Sequence, residues 1–135
     1  MIVADANLVA YLLIRGPFMP IAKKILARDR DWVAPSIWRH ELLNVVATSV
    51  RAGTLDEVVA QDVLSKTERV VRNQEYGSPI DAIRLSVRTR VGTYDCEFIV
   101  LAQRLYIPLV TADKALLKAF PETAISIEQF ASGPN

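Results

Sequence analysis

The sequence predicts an α/β fold in which a central parallel β-sheet is flanked by α-helices, and three observations carry that prediction. Short apolar, β-prone runs such as "MIVAD", "WVAP" and "IPLVT" recur along the chain. Between them lie longer stretches with apolar residues three and four apart, the spacing of helices that bury one face. Strands alternate with helices throughout, an order satisfied by a parallel sheet covered on both faces. With 135 residues, 51% of them hydrophobic, the chain can bury one substantial core, so a single domain spanning 1–135 is expected.

Taken in order, "MIVAD" reads as a buried strand and "ANLVAYLLIR" as the helix leaving it, stopped by Gly16 and Pro17. A second helix runs from Pro20 to about Arg28, and "WVAP" is the second strand. A long helix starts at Ser36, which can cap it; Trp38, Leu42, Val45, Val46 and Ser49 form one face, and Gly53 ends it. Thr54 and Glu57 have the spacing of a capping box for a helix reaching about Val71. "RNQEYG" is a loop or short strand, and Ser78, Pro79 and Asp81 open the next helix. Thr93 caps "YDCEFIVLAQRL", "IPLVT" is a buried strand, "ADKALLKAF" is a helix broken at Pro121, and "AISI" is a last short strand. The final "SGPN" has the composition of a frayed end.

Composition narrows the chemistry. One cysteine, Cys96, excludes an internal disulfide and a thiolate-cage zinc site. The apolar run at 8–14 is far short of the roughly 20 residues of a membrane-spanning helix. Asp5 stands where a signal peptide is basic, so a cytoplasmic protein is expected. Net charge is only +1; yet if four acids are set apart in a cleft, 16 basic residues face 15 − 4 = 11 acidic ones, an outer surface of +5. No glycine-rich phosphate loop and no nucleophile elbow is present, and His40 is the only histidine, read as a solvated or rim residue.

In a parallel α/β sheet, ligands bind at the carboxyl ends of the strands. Asp5 ends the first strand, and Asp113 stands just beyond the "IPLVT" strand. Glu41 is four residues from both Ile37 and Val45 and so lies on or beside a buried stripe. Asp95 precedes Phe98, Ile99 and Ala102 at helical spacing, which points it inward. Each has a plainer explanation: acids in a first helical turn are stabilised by free N–H groups, and a half-buried Glu can pair with an Arg. The conjunction is stronger than any member. Clustered carboxylates repel, and a hard divalent ion removes that conflict; oxygen donors favour Mg²⁺ or Mn²⁺ and phosphoryl chemistry. "RLSVRTR" places Arg84 and Arg88 on one helical face, by default solvated, with phosphate contact the minority reading.

These residues resemble those of the PIN-domain ribonucleases, and within them the VapC toxins of toxin–antitoxin pairs. The resemblance rests on "DAN" after the first strand, the Glu of "WRHELLNVV", the Asp of "TYDCEFIVLA" and the "TAD" after the penultimate strand, in order along essentially the whole chain. It implies a PIN-like three-layer fold and an acidic quartet, Asp5, Glu41, Asp95 and Asp113, that holds one or two Mg²⁺ or Mn²⁺ ions and performs catalysis. Asn7 and Thr111 match the polar residues that support the quartet, and Glu97 matches a further acid of some members, although its offset turns it from that face. The implied activity is cleavage of single-stranded or looped RNA, commonly tRNA or rRNA, by metal-activated water. The implied partners are an antitoxin whose tail crosses the active-site groove and a second copy, with the helix pair around 36–71 as a clip for either.

Two other classes compete. A phosphoaspartate phosphatase or receiver domain would use Asp5 as nucleophile or metal ligand, but Asn7 stands where the phosphatases place a second acid, and Asp113 with Lys114 matches a receiver poorly. A non-catalytic PIN scaffold would have no need of all four acids.

Overall fold

The chain is described by a computed structural model covering residues 1–133, so Pro134 and Asn135 of the "SGPN" tail lie outside the described residues. Five strands form one all-parallel sheet: β1 (Ile2–Ala4), β2 (Trp32–Ala34), β3 (Val71–Asn73), β4 (Leu109–Thr111) and β5 (Ala124–Ser126). Their order across the sheet is β3-β2-β1-β4-β5. Val3 of the central strand pairs with Val33 on one side and Leu109 on the other.

The strands are three residues each, and those of β1, β2 and β4 are buried throughout, as expected of a sheet with helices on both faces. The helices are α1 (Ala6–Leu13), α2 (Met19–Arg28), α3 (Trp38–Arg51), α4 (Glu57–Val70), α5 (Pro79–Thr89), α6 (Thr93–Leu105), α7 (Lys114–Ala119) and α8 (Ile127–Ser132). Helix α2 packs against both α1 and α8; α5 packs on α6, which lies on β1 and β4. Trp32, Phe98, Ile99, Leu101 and Leu109 are at the centre of the core. Among the described residues no helix is long and apolar enough to cross a membrane.

The chain starts in the middle of the sheet, builds outward through β2 and β3, then returns to the other side of β1. The reversal falls between β1 and β4, the place where a parallel α/β sheet opens a crevice at its carboxyl edge.

The predicted strands and long helices are present, and the corrections are local. Ser36 does not cap α3, which starts at Trp38 after a turn and has no side-chain cap. Asp56 caps α4 by accepting from the Val58 N–H, while the Thr54 hydroxyl donates back to the Ser49 carbonyl, so the capping box does not form. Thr93 is the first residue of α6, and Gly92 holds the cap position. Ser78 sits at the cap of α5 without a side-chain bond. "RNQEYG" contributes Arg72 and Asn73 to β3, which follows α4 with no intervening turn. Ser132, expected in a frayed end, closes α8, a helix the apolar periodicity does not announce.

Candidate metal centre

Asp5 follows β1 directly and caps α1. Its side chain is buried, with Oδ1 accepting from the Leu8 N–H at 2.8 Å and Oδ2 accepting from the Thr111 hydroxyl at 2.5 Å. Thr111, fully buried at the end of β4, uses the same oxygen to accept the Asp113 N–H at 3.0 Å. One hydroxyl therefore ties the ends of the two strands flanking the reversal. Asp113 caps α7, its Oδ1 accepting from Ala115 and Leu116.

Glu41 and Asp95 arrive from the sides. Glu41 is in the first turn of α3, whose start is fixed by the buried Trp38: the indole N–H donates to Asn73 Oδ1 at the end of β3. Asp95 is the third residue of α6 and is half-buried. Glu41 is half-buried too, yet its Oε1 is fully enclosed and has no hydrogen-bond partner.

The four carboxylates feel one another. Burial first, then the charges of Asp113 and Asp95, push Asp5 up to about 6 against the lowering effect of its two hydrogen bonds. Burial, then Asp95, Asp5 and Glu97, push Glu41 up to about 7. Burial and then Asp113 raise Asp95. No cation contributes to any of these shifts. Among the described residues no three acidic, imidazole or thiol groups are gathered tightly enough to chelate an ion as they stand, as repulsion between like charges favours.

Glu97 is nearer than its offset on α6 implies. Burial raises its carboxyl, the neighbouring Tyr76 hydroxyl offsets part of that rise, and its charge reaches Glu41. That tyrosine lies in the loop before α5 and nothing local in the sequence marks it. Asn7 is exposed on the first turn of α1, has no hydrogen bond to the quartet, and lines a separate pocket with Tyr11, Phe18 and Val45. His40 is exposed, and Cys96 is a buried thiol donating to the Val91 carbonyl at 3.6 Å.

The two arginines of α5 lie on a solvated face, the default reading of their spacing. Arg84 is exposed and 3.6 Å from Asp81 of its own helix, and Arg88 is exposed on the same helix. A cleft of about 600 Å³ beside Asp95 is lined instead by Arg90, at the end of α5, and Lys118, on α7.

A three-layer α/β domain with an acidic crevice at the switch point of its sheet is the class these features define. The PIN domain model matches residues 2–121, and the chain belongs to the PIN domain family. It is 23% identical over 124 residues to Ribonuclease VapC3 of Pyrobaculum aerophilum, covering 89% of this chain and 95% of that protein. The crystal structure of PAE2754 from Pyrobaculum aerophilum superposes with a TM-score of 0.77 at 21% identity, covering 96% of this chain and 92% of the other. VapBC2 from Rickettsia felis, solved bound to a DNA fragment from its promoter, gives 0.66 at 16% identity over 93% of this chain and 98% of the other. At these identities the two structures establish the fold.

Proposed function

We propose that this chain is a divalent-metal-dependent endoribonuclease and the toxin of a toxin–antitoxin pair, one domain over 1–135 in which Asp5, Glu41, Asp95 and Asp113 hold Mg²⁺ or Mn²⁺. The observation that carries the reading is the enclosed, unpartnered Oε1 of Glu41, raised by the charges of Asp95, Asp5 and Glu97 around it. A buried charge without a partner is costly, so the group must take up either a proton or a cation. The donors are all hard oxygens; His40 points to solvent and Cys96 is an engaged thiol, which suits Mg²⁺ or Mn²⁺ and not zinc.

The protein's own residues divide the work. Asp5 is held on both oxygens, by the Leu8 N–H on one and the Thr111 hydroxyl on the other. Thr111 orients Asp5 and the backbone of Asp113 together. Glu41, brought in by the Trp38–Asn73 anchor, exchanges its proton close to neutral pH. A bound divalent ion supplies the positive charge that makes water acidic and offsets charge developing on a phosphodiester. RNA as substrate and an antitoxin as partner are supported by the ribonuclease name of the Pyrobaculum relative and by the VapBC2 fold neighbour. Exposed Leu43 and Val59 on the α3–α4 pair offer apolar surface for an antitoxin or a second copy of the chain in the cytoplasm.

The test is cleavage of total cellular RNA with and without chelator, by the parent and by Asp5→Asn. Defined fragments in Mg²⁺, lost with chelator and with the substitution, are expected. Metal-independent cleavage untouched by Asp5→Asn overturns the reading.

A further inference from the structure

An acidic crevice repels the phosphates it is meant to cleave, so a strand of RNA entering it needs compensating cations close by. The residues at the cleft beside Asp95 provide them. Arg90 and Lys118 stand on its wall with Asp95, one at the α5–α6 turn and one on α7. Both are exposed, and neither forms an ion pair among the described residues. Gly92 lies on the same wall and caps α6 with no side chain, leaving the first N–H groups of a thirteen-residue helix unclaimed by any capping oxygen.

The turn that carries Arg90 is tied by hydrogen bonds on successive residues. Arg90 adopts φ 66°, in the left-handed region, with its N–H donating to the Ser86 carbonyl at 2.7 Å. The next N–H, of Val91, donates to Thr89 Oγ1, and the Val91 carbonyl accepts from the Cys96 thiol. The left-handed conformation closes α5 as the same conformation at Tyr106 closes α6, and it sets the Arg90 backbone at the rim of the acidic crevice.

We propose that Arg90 and Lys118, with the amino end of α6, form the phosphate track that positions single-stranded RNA across the cleft next to Asp95. The inference rests on the ribonuclease reading and names how its substrate is held. The two cations bind backbone phosphates and not base edges, so they add affinity without sequence preference. They are positioning residues, separate from the quartet.

The experiment uses the non-cleaving Asp5→Asn protein and a fluorescent single-stranded RNA, with binding followed across salt concentrations, and compares it with Asp5→Asn carrying Arg90→Gly and Lys118→Ala. Glycine suits φ 66°, so the Arg90 change removes the charge without straining the turn. Losing two phosphate contacts lowers the slope of log affinity against log salt by about 1.4, which is about 25-fold weaker binding at 0.1 M salt and little change near 1 M. In the cleaving background the same pair raises KM and leaves the metal requirement intact. Unchanged affinity and salt slope in the double variant, while Asp5→Asn binds RNA, overturns the phosphate track and spares the ribonuclease reading. The same result with lost binding of an acidic protein partner assigns the cleft to that partner instead. No RNA binding by Asp5→Asn, together with no cleavage by the parent, overturns both.

Discussion

Replacing Asp5 by Asn should stabilise the metal-free protein above neutral pH. The carboxyl is buried, and its pKa rises from the ordinary 3.8 to about 6. A little over two pH units at 1.36 kcal/mol each is about 3 kcal/mol. Because the folded value is raised, the native state prefers the protonated form. The associated stability is fully present below the unfolded value near 4 and is lost as pH climbs through about 6. At pH 8 the ionised carboxylate therefore costs the fold about 3 kcal/mol, and at pH 4 almost nothing. Asn is isosteric and keeps the bond from the Leu8 N–H, but its amide forces the Thr111 hydroxyl to accept instead of donate. With about 1 kcal/mol set against that rearrangement, the net gain is about 2 kcal/mol at pH 8, roughly 8 °C in Tm for a domain of this size. Urea denaturation of parent and variant at pH 5 and pH 8 in chelator measures it. Saturating Mg²⁺ or Mn²⁺ should shrink or reverse that difference, because the parent gains more binding free energy than the variant. A variant less stable than the parent at pH 8 in chelator, or a difference that ignores pH, refutes the reasoning.

Metal binding should displace protons. With Glu41 at about 7 and Asp5 at about 6, the pair carries about one proton at pH 6.5 and about a tenth of one at pH 8, so calorimetry in two buffers of different ionisation enthalpy should show that release and a weaker Kd at the lower pH. Thr111→Val removes the donor to Asp5 and the acceptor for the Asp113 N–H at a fully buried site, and should cost about 1–3 kcal/mol at pH 8 by urea denaturation. The same variant should push Asp5 further up and weaken Mn²⁺ binding about 10- to 100-fold by calorimetry.

What sequence could show here follows the range of each interaction. Asp5 was legible because an acid interrupting two apolar segments has only one comfortable place in a parallel sheet, the carboxyl edge. Asp113 followed from the same rule applied to β4, and Glu41 and Asp95 from helical spacing against buried neighbours. Caps were less legible: Thr54 donates to the Ser49 carbonyl instead of capping, and the backbone enters α3 and α6 one residue off the predicted caps, at Ile37 and Gly92. Helix α8 is six residues, too short to stand on its own pattern, and exists by packing on α2 and β4. Arg90 and Lys118 were not legible for a related reason: position beside Asp95 depends on the α5–α6 turn meeting α7, which no local spacing announces. Likewise, Tyr76 reaches Glu97 only because the loop before α5 returns over α6.

The central claim is that four carboxylates from four separate segments hold one metal site. Mn²⁺ binding followed by electron paramagnetic resonance tests it without reference to any substrate. The parent should bind Mn²⁺ in competition with Mg²⁺, and Asp5→Asn, Glu41→Gln, Asp95→Asn and Asp113→Asn should each weaken that binding at least tenfold. Undiminished Mn²⁺ binding in Glu41→Gln and Asp5→Asn would contradict it.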